Sequence, residues 1–288
     1  MSAEEDVKVV DKQIEDYWKN IESIFPRMTA EWQSTLGIWL LGPANYVIRT
    51  ESLWAVDPML RHREAEEKVL PIVKNAFAGI RFILISHLHS DHYSLPFLLE
   101  MCVPGVSIVL PDWIGEADLV ALKATGASLI LAHANMQLQF DGIRVDVLPG
   151  CHYDYNRPEK GVPSLAFQVT TAEKTYLFPG DVRDYEHCRM PVDCDVVFSH
   201  VWLGRGCATA NREDTALDKY LHFVRALRPK LLLLTHLYDI RRLEKEQWTY
   251  KHALWIKHAL QNTEIHVEAP VPGENVIIAG GNKCNEQA

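Results

Sequence analysis

The chain has six cysteines in 288 residues, and no two of them form a C-x-x-C pair. Cys102, Cys151, Cys188, Cys194, Cys207 and Cys284 are scattered. That spacing argues against the disulfide framework of a small secreted domain, and reduced thiols are the expectation. Basic residues are also in short supply: 29 Lys and Arg stand against 38 Asp and Glu, for a net charge of -9. A protein that grips nucleic acid through unspecific phosphate contacts is usually basic. Bulk nucleic acid is therefore disfavoured as a partner, although a local basic pocket is still allowed. No apolar run approaches the ~20 residues that a membrane helix requires. The opening stretch Met1-Ser-Ala-Glu-Glu-Asp6 is acidic and polar, unlike a secretory leader. Repeats, low-complexity tracts and linkers are missing as well. These absences lead to the expectation of one soluble, cytoplasmic domain over residues 1–288, with no membrane partner. The balance that remains, 48% hydrophobic and 23% charged, is enough for a sizeable core.

Apolar positions at Val7, Val10, Ile14, Tyr17, Ile21 and Ile24 recur at helical spacing. They predict an N-terminal flanking helical segment within residues 1–33, with the helix ending at Pro26. From Leu36 the period changes. Gly37–Leu41, Asn45–Arg49 and Ser52–Val56 read as strands. Further strands are expected at Arg81–Ser86, Ser107–Leu110, Val145–Leu148, Ala166–Val169, Tyr176–Phe178, Val196–Phe198 and Lys230–Leu234. Helices are expected near Arg61–Lys74, Leu95–Met101, Asp112–Thr125, Asp214–Leu227 and Gln247–Gln261. Strands dominate both halves, and the helices are segregated from them. This predicts an α+β protein, a four-layer αββα sandwich, in preference to a doubly wound parallel sheet.

The densest chemical signal follows the apolar segment Arg81-Phe-Ile-Leu-Ile-Ser86. It is the run His87-Leu-His-Ser-Asp-His92. Imidazoles at His87, His89 and His92, with the Asp91 carboxylate, are borderline-to-hard donors suited to zinc, manganese or iron. Other predicted strands also end near a potential ligand. Val56 leads to Asp57, Leu148 through Pro-Gly-Cys to His152, Phe178 through Pro-Gly to Asp181, and Leu234 through Thr235 to His236. Rigid strands can aim such side chains at one point.

Taken in order, Val56-Asp57-Pro58, the His87–His92 run, His152, Gly180-Asp181 and His236 resemble the metallo-β-lactamase-fold hydrolase superfamily. The resemblance implies one metal held by His87, His89 and His152. It implies a second held by Asp91, His92 and His236, with Asp181 bridging and Asp57 supporting the site without binding metal. Leu40-Leu-Gly-Pro-Ala-Asn-Tyr-Val-Ile48 and Pro179-Gly-Asp181 look like the branch containing L-ascorbate 6-phosphate lactonase. The chain departs from that branch at Val182-Arg-Asp-Tyr185 and at Leu237, so its substrate is not carried over. Asp181 and His236 lie 55 positions apart, too close for the large insertion of the nucleic-acid-cleaving branch. No flavin-binding domain is expected after His236, which sets the diiron electron-transfer branch aside.

The resulting expectation is a metal-dependent hydrolase with a metal-bound hydroxide as nucleophile. Its cofactors would be two divalent transition-metal ions, with zinc as the default and manganese or iron as alternatives. Its substrate would be a small, anionic ester, lactone or phosphodiester. Asp91 is the candidate proton shuttle. Arg183, Arg205, Arg241 and Arg242 are candidate anion contacts. Tyr153, His200 and Tyr238 are candidate pocket residues, and if the arginines do not bind an anion the pocket is to be read as lined by Tyr153, Tyr155, Trp202 and Tyr238. Two other classes remain open: a metabolite-binding or regulatory protein on the same scaffold, and an iron-dependent thiol oxygenase. A homo-oligomer is left open.

Overall fold

The computed structural model describes residues 3–153, 161–203, 215–240, 242–243 and 247–276. The strands Gly37–Gly42 (β1), Asn45–Arg49 (β2), Leu53–Val56 (β3), Ile80–Leu84 (β4), Ser107–Pro111 (β5) and Ser128–Ala132 (β6) form one sheet with Asn275–Val276 (β14). Its order is β14-β1-β2-β3-β4-β5-β6. The second sheet contains Gln137–Phe140 (β7), Ile143–Pro149 (β8), Leu165–Thr170 (β9), Thr175–Phe178 (β10), Val196–His200 (β11), Leu231–Thr235 (β12) and His266–Glu268 (β13). These run in the order β13-β12-β11-β10-β9-β8-β7. Each sheet has an antiparallel part and a parallel part. The parallel strands are β3 to β6 in one and β10 to β13 in the other.

The layering follows from two-residue periodicity with both faces apolar. Ile38, Leu40, Trp54, Val56, Phe82 and Leu84 point between the sheets, where they meet Val196, Phe198 and Leu233. Trp39, Leu41, Leu53, Ala55, Ile83 and Ile85 point outward onto helices. Val197, Leu232 and Leu234 do the same from the second sheet. Helices Ala3–Lys19 (α1), Ile21–Ser34 (α2), Arg63–Ala76 (α3), Leu95–Met101 (α4) and Glu116–Lys123 (α5) precede the second sheet in the chain, and Ala216–Leu227 (α6) and Tyr250–Leu260 (α7) lie within it. The architecture is the expected αββα sandwich.

Two expectations change in detail. Pro26 does not end the N-terminal helix, because α2 runs through it and the break falls at Asn20. Proline lacks one N–H and so removes one helical bond, which sits early in α2, while Phe25, Met28 and Trp32 keep the helix docked with no exposure. The segment is therefore part of the core. The Trp32 indole N–H donates to the Ala76 carbonyl at 2.8 Å, and the Tyr17 hydroxyl donates to the Leu41 carbonyl at 2.8 Å. The second change concerns helix starts: α5 and α7 begin a few residues later than the apolar pattern suggests, at Glu116 and Tyr250.

Phe198 sits at the centre of the inter-sheet layer. It stacks on Phe178 at 4.1 Å and meets Tyr46 edge-on at 4.7 Å. Phe198→Ala is expected to cost about 3–5 kcal/mol by opening a cavity. Urea unfolding followed by circular dichroism measures it, and a loss under 1 kcal/mol would contradict this packing.

Candidate metal centre

The ends of the parallel strands in the two sheets meet at one seam. After β3 the chain turns at Asp57, whose φ is 47°. After β4 it passes through Ser86 into His87. The turn His89–His92 is closed by the His92 N–H donating to the His89 carbonyl at 2.9 Å. From the other sheet come His152 beyond β8, Asp181 beyond β10, His200 at the end of β11 and His236 beyond β12. Gly180 precedes Asp181 with φ 68°, a conformation that glycine adopts without penalty. His236 and Tyr238 hold φ values of 60° and 58° without being glycine. Such residues cost roughly 1–3 kcal/mol each and cluster at functional sites.

Two sets of donors converge. His87 Nε2 lies 3.1 Å from His89 Nδ1, which is 3.2 Å from His152 Nε2. Asp181 Oδ2 faces this set, 3.3 Å from His152 Nε2 and 3.8 Å from His87 Nε2. A tetrahedral zinc ion with bonds of about 2.0–2.1 Å holds its donors about 3.3 Å apart. Asp181 Oδ1 faces the second set, 3.4 Å from His92 Nε2 and 3.6 Å from His236 Nε2. Asp91 Oδ2 approaches the same His236 nitrogen at 3.5 Å. Asp181 is 2% exposed, and each of its oxygens addresses one set.

Hydrogen-bond counting fixes the tautomers. Ser86 donates its one hydroxyl hydrogen to Asp57 Oδ2 at 2.6 Å. Ser86 Oγ, 3.0 Å from His87 Nδ1, must then accept, so His87 carries its proton on Nδ1. His92 Nδ1 donates to Asp57 Oδ2 at 2.7 Å. Both imidazoles thus turn Nε2 toward the centre, as a bare lone pair on His87 and as one on His92 whenever that ring is neutral. His92 Nε2 and His236 Nε2 are buried and lack hydrogen-bond partners among the described residues. Lone pairs facing a carboxylate repel unless a cation lies between them, so the donor set fits metal ions.

The electrostatics agree. Burial, aided by His92, holds the His87 imidazole well below its ordinary value, and burial lowers His89 as well. Burial would raise Asp181, but His92 and His236 outweigh it and keep the carboxyl well below the usual range. Asp91 is likewise lowered, burial being overcome by His236 and His92. Burial also opposes the His92 cation, yet the carboxylates of Asp181 and Asp57 push it well above its ordinary value. This buried anionic pocket requires positive charge.

His200 also approaches the second set, with all its donor atoms within 4.8 Å of one another. Its nitrogens are already committed. Nδ1 donates to Asp181 Oδ1 at 2.6 Å, and Nε2 accepts from the Tyr46 hydroxyl at 3.0 Å. Tyr46 in turn accepts from Thr235 at 2.8 Å. Burial pushes His200 down to about 4, against the pull of Asp181. His200 therefore orients Asp181 and does not line a substrate pocket.

The remaining expected residues are placed unevenly. Arg183 is buried, and its Nε donates to the His152 carbonyl at 3.1 Å. Its guanidinium lies 5.7 Å from the Trp202 ring, and that ring meets His152 and His236 edge-on at 5.8 and 5.7 Å. Arg242 lies 5.4 Å from the same ring. Tyr153 is exposed. Tyr238 turns away from the centre, and its hydroxyl donates to Asp11 at 2.7 Å. Tyr238 holds a left-handed backbone, and its side chain reaches α1. Arg205, Arg241 and Tyr155 lie outside the described residues. Cys151 and Cys188 form a disulfide with a Cα–Cα distance of 5.6 Å, which corrects the expectation of reduced thiols at those positions. The turn after Asp181 returns Cys188 to the chain beside His152. Cys102 and Cys194 are buried free thiols.

Sequence reasoning missed Asn45. Fully buried, it donates to the carbonyls of Asp57 at 2.7 Å and Asp91 at 2.8 Å. An asparagine in a Gly-Pro-Ala-Asn turn signals a turn, and nothing local marks it as a brace for the site. Asp57→Asn removes a charge that fixes one imidazole in each set. It is expected to lower metal affinity about 10–100-fold at both sets. Titration of the metal-free variant with zinc checks this, and an unchanged affinity would contradict the tautomer assignment.

No curated protein matches the chain. A metallo hydrolase from the hyperthermophilic archaeon Ignicoccus hospitalis shares the fold at TM-score 0.56 and 17% identity, over 84% of this chain and 97% of that one. An isothiocyanate hydrolase from Delia radicum gut bacteria aligns at TM-score 0.56 and 14% identity, over 85% and 98%. A diiron beta-hydroxylase from Streptomyces venezuelae aligns at TM-score 0.54 and 16% identity, over 81% of this chain and 52% of that one. Residues 55–237 match the family described as Beta-lactamase superfamily domain. That span opens just before Asp57 and closes just after His236, so it encloses every donor of the two sets, and the chain belongs to this superfamily.

Proposed function

We propose that the chain is a hydrolase of a small anionic ester, lactone or phosphodiester, working with two divalent metal ions. The observation that carries this reading is the Asp181 carboxylate, with one oxygen turned to each of two imidazole sets. One ion would be held by His87, His89, His152 and Asp181. The other would be held by His92, His236, Asp91 and Asp181. Bound ions would supply Lewis acidity and lower the pKa of a coordinated water from about 15.7 toward 7. Imidazole suits zinc, and the set also accepts manganese or iron.

The protein's own groups supply the rest. Asp57 and Ser86 lock the imidazole tautomers, and His200 holds Asp181 in place. Asp91 stands beside the second set, with Oδ2 3.5 Å from His236 Nε2, where its carboxylate could take a proton from the attacking water and pass it to the leaving group. The Arg183 guanidinium beside Trp202 adds positive charge near the imidazoles, which favours an anionic substrate, whereas the Arg242 charge is paired with Asp239. An anionic lactone is the first substrate to try, given the resemblance to the lactonase-like branch. A second reading has one support. The imidazole–carboxylate set also suits iron, and a structural neighbour is a diiron beta-hydroxylase. Oxygen uptake by iron-loaded protein would favour that chemistry over hydrolysis.

Metal analysis of the purified protein is expected to find two ions per chain, and Asp181→Ala is expected to lose both. Metal-dependent turnover should appear in a screen of lactones, thioesters and bis-aryl phosphates. A wild type that takes up no transition metal on reconstitution sinks the proposal. Asp91→Asn should lower kcat by about 10²–10⁴-fold, the range for a lost acid–base group. Wild-type kcat in that variant would remove Asp91 from proton transfer.

A further inference from the structure

We infer that Arg61, Asp239 and Arg242 form a buried clamp that positions the second metal set, the one containing Asp91 and His236. The inference rests on the two-ion reading above. Arg61 lies in the loop after β3, and its side chain is 8% exposed. Its Nε donates to Asp239 Oδ1 at 3.0 Å, and Nη1 donates to the Ser90 carbonyl at 2.6 Å and to Ser90 Oγ at 2.9 Å. One guanidinium fork therefore spans two loops. Ser90 sits between His89 and Asp91, and Asp239 lies three residues beyond His236.

The second carboxylate oxygen is used as well. Asp239 Oδ2 accepts from Arg242 Nε at 3.1 Å. Arg242 then lies 5.1 Å from the Trp248 ring and 5.4 Å from the Trp202 ring. Trp202 stacks on Trp248 and meets the His236 imidazole edge-on at 5.7 Å. The chain of contacts begins at the backbone beside Asp91 and ends against the ring of His236. Those two side chains are the ones that approach each other at 3.5 Å.

The effect is expected to be selective. His87 is held by Ser86 at the end of β4, and His152 follows β8 with only its ring edge near Trp202 at 5.8 Å, so of the first set only His89, beside Ser90, adjoins the residues that Arg61 binds. The loop from His236 to Tyr238 has two left-handed residues, so it needs an anchor beyond itself. The turn between β1 and β2 supplies part of that anchor, since the His236 N–H donates to the Pro43 carbonyl at 2.6 Å. Arg61 supplies the part that reaches Asp239. Lysine could not replace it, because a single ammonium does not span both partners in fixed geometry.

The test is cobalt(II) titration of metal-free protein, followed by absorption spectra and calorimetry. Wild type should bind in two steps, and His236→Ala identifies the step belonging to the second set. Arg61→Met and Arg61→Lys should weaken that step at least tenfold and leave the other within twofold. Asp239→Asn preserves shape and should do the same, which guards against a poorly folded Arg61 variant. Thermal melts of the metal-free proteins provide the structural control. The inference is overturned if the Arg61→Met and Asp239→Asn variants bind both ions as wild type does. It is also overturned if both steps weaken together in proportion to the loss of melting temperature. A wild type that binds no cobalt overturns the two-ion reading itself, and this inference with it.

Discussion

A carboxylate that is 2% exposed, at the seam of two sheets, is the constraint around which this protein is arranged. Burying the Asp181 charge without partners would be prohibitive. It is compensated by imidazoles from both sheets, and by a hydrogen bond from His200 at 2.6 Å. Not all of those imidazoles can donate to it, because Ser86 keeps the His87 proton on Nδ1 and leaves its Nε2 lone pair inward, while Asp57 turns His92 Nε2 the same way. The positive charge that the pocket lacks is the charge that metal ions bring. Fold and chemistry thus meet in one electrostatic requirement.

The requirement reaches outward in layers of decreasing directness. Asp57 serves both sets at once, since His92 bonds it directly and His87 reaches it through Ser86. His200 is polarised from behind by Tyr46, which is itself bonded to Thr235. These partners come from both sheets: Tyr46 lies on β2, His200 on β11 and Thr235 on β12. A shift of either sheet would break the relay. The apolar inter-sheet layer of Phe178, Phe198 and Tyr46 keeps that register while excluding water from the hydrogen bonds.

Sequence features made some of this readable. Period-two apolar runs on both faces announced strands covered on both sides, and segregated helices announced the layer order. The His87–His92 run announced a metal-type donor set, because four such donors rarely concentrate on an idle loop. Other features stayed hidden. His200 looks like His236, each closing or following an apolar strand, yet only its partners assign it to orienting Asp181. Arg61 and Asp239 lie 178 positions apart, and no local pattern links them. Tyr238 follows a ligand and so reads as a pocket residue, but its hydroxyl bonds Asp11 on α1.

The sequence by itself determined residue chemistry and local period: most of the strands and the donors that follow them, though not the short strands Gln137–Phe140, His266–Glu268 and Asn275–Val276. These depend on spacing along one segment, so they survive without knowledge of any partner. The tertiary structure alone decided which oxygen of Asp181 faces which imidazoles, which tautomers are locked, that Cys151 meets Cys188, and that Asn45 and Arg61 brace the loops. Each of these depends on contacts between segments brought together by strand order and register. Hydrogen bonds form over about 3 Å, and chain spacing does not specify positions to that precision.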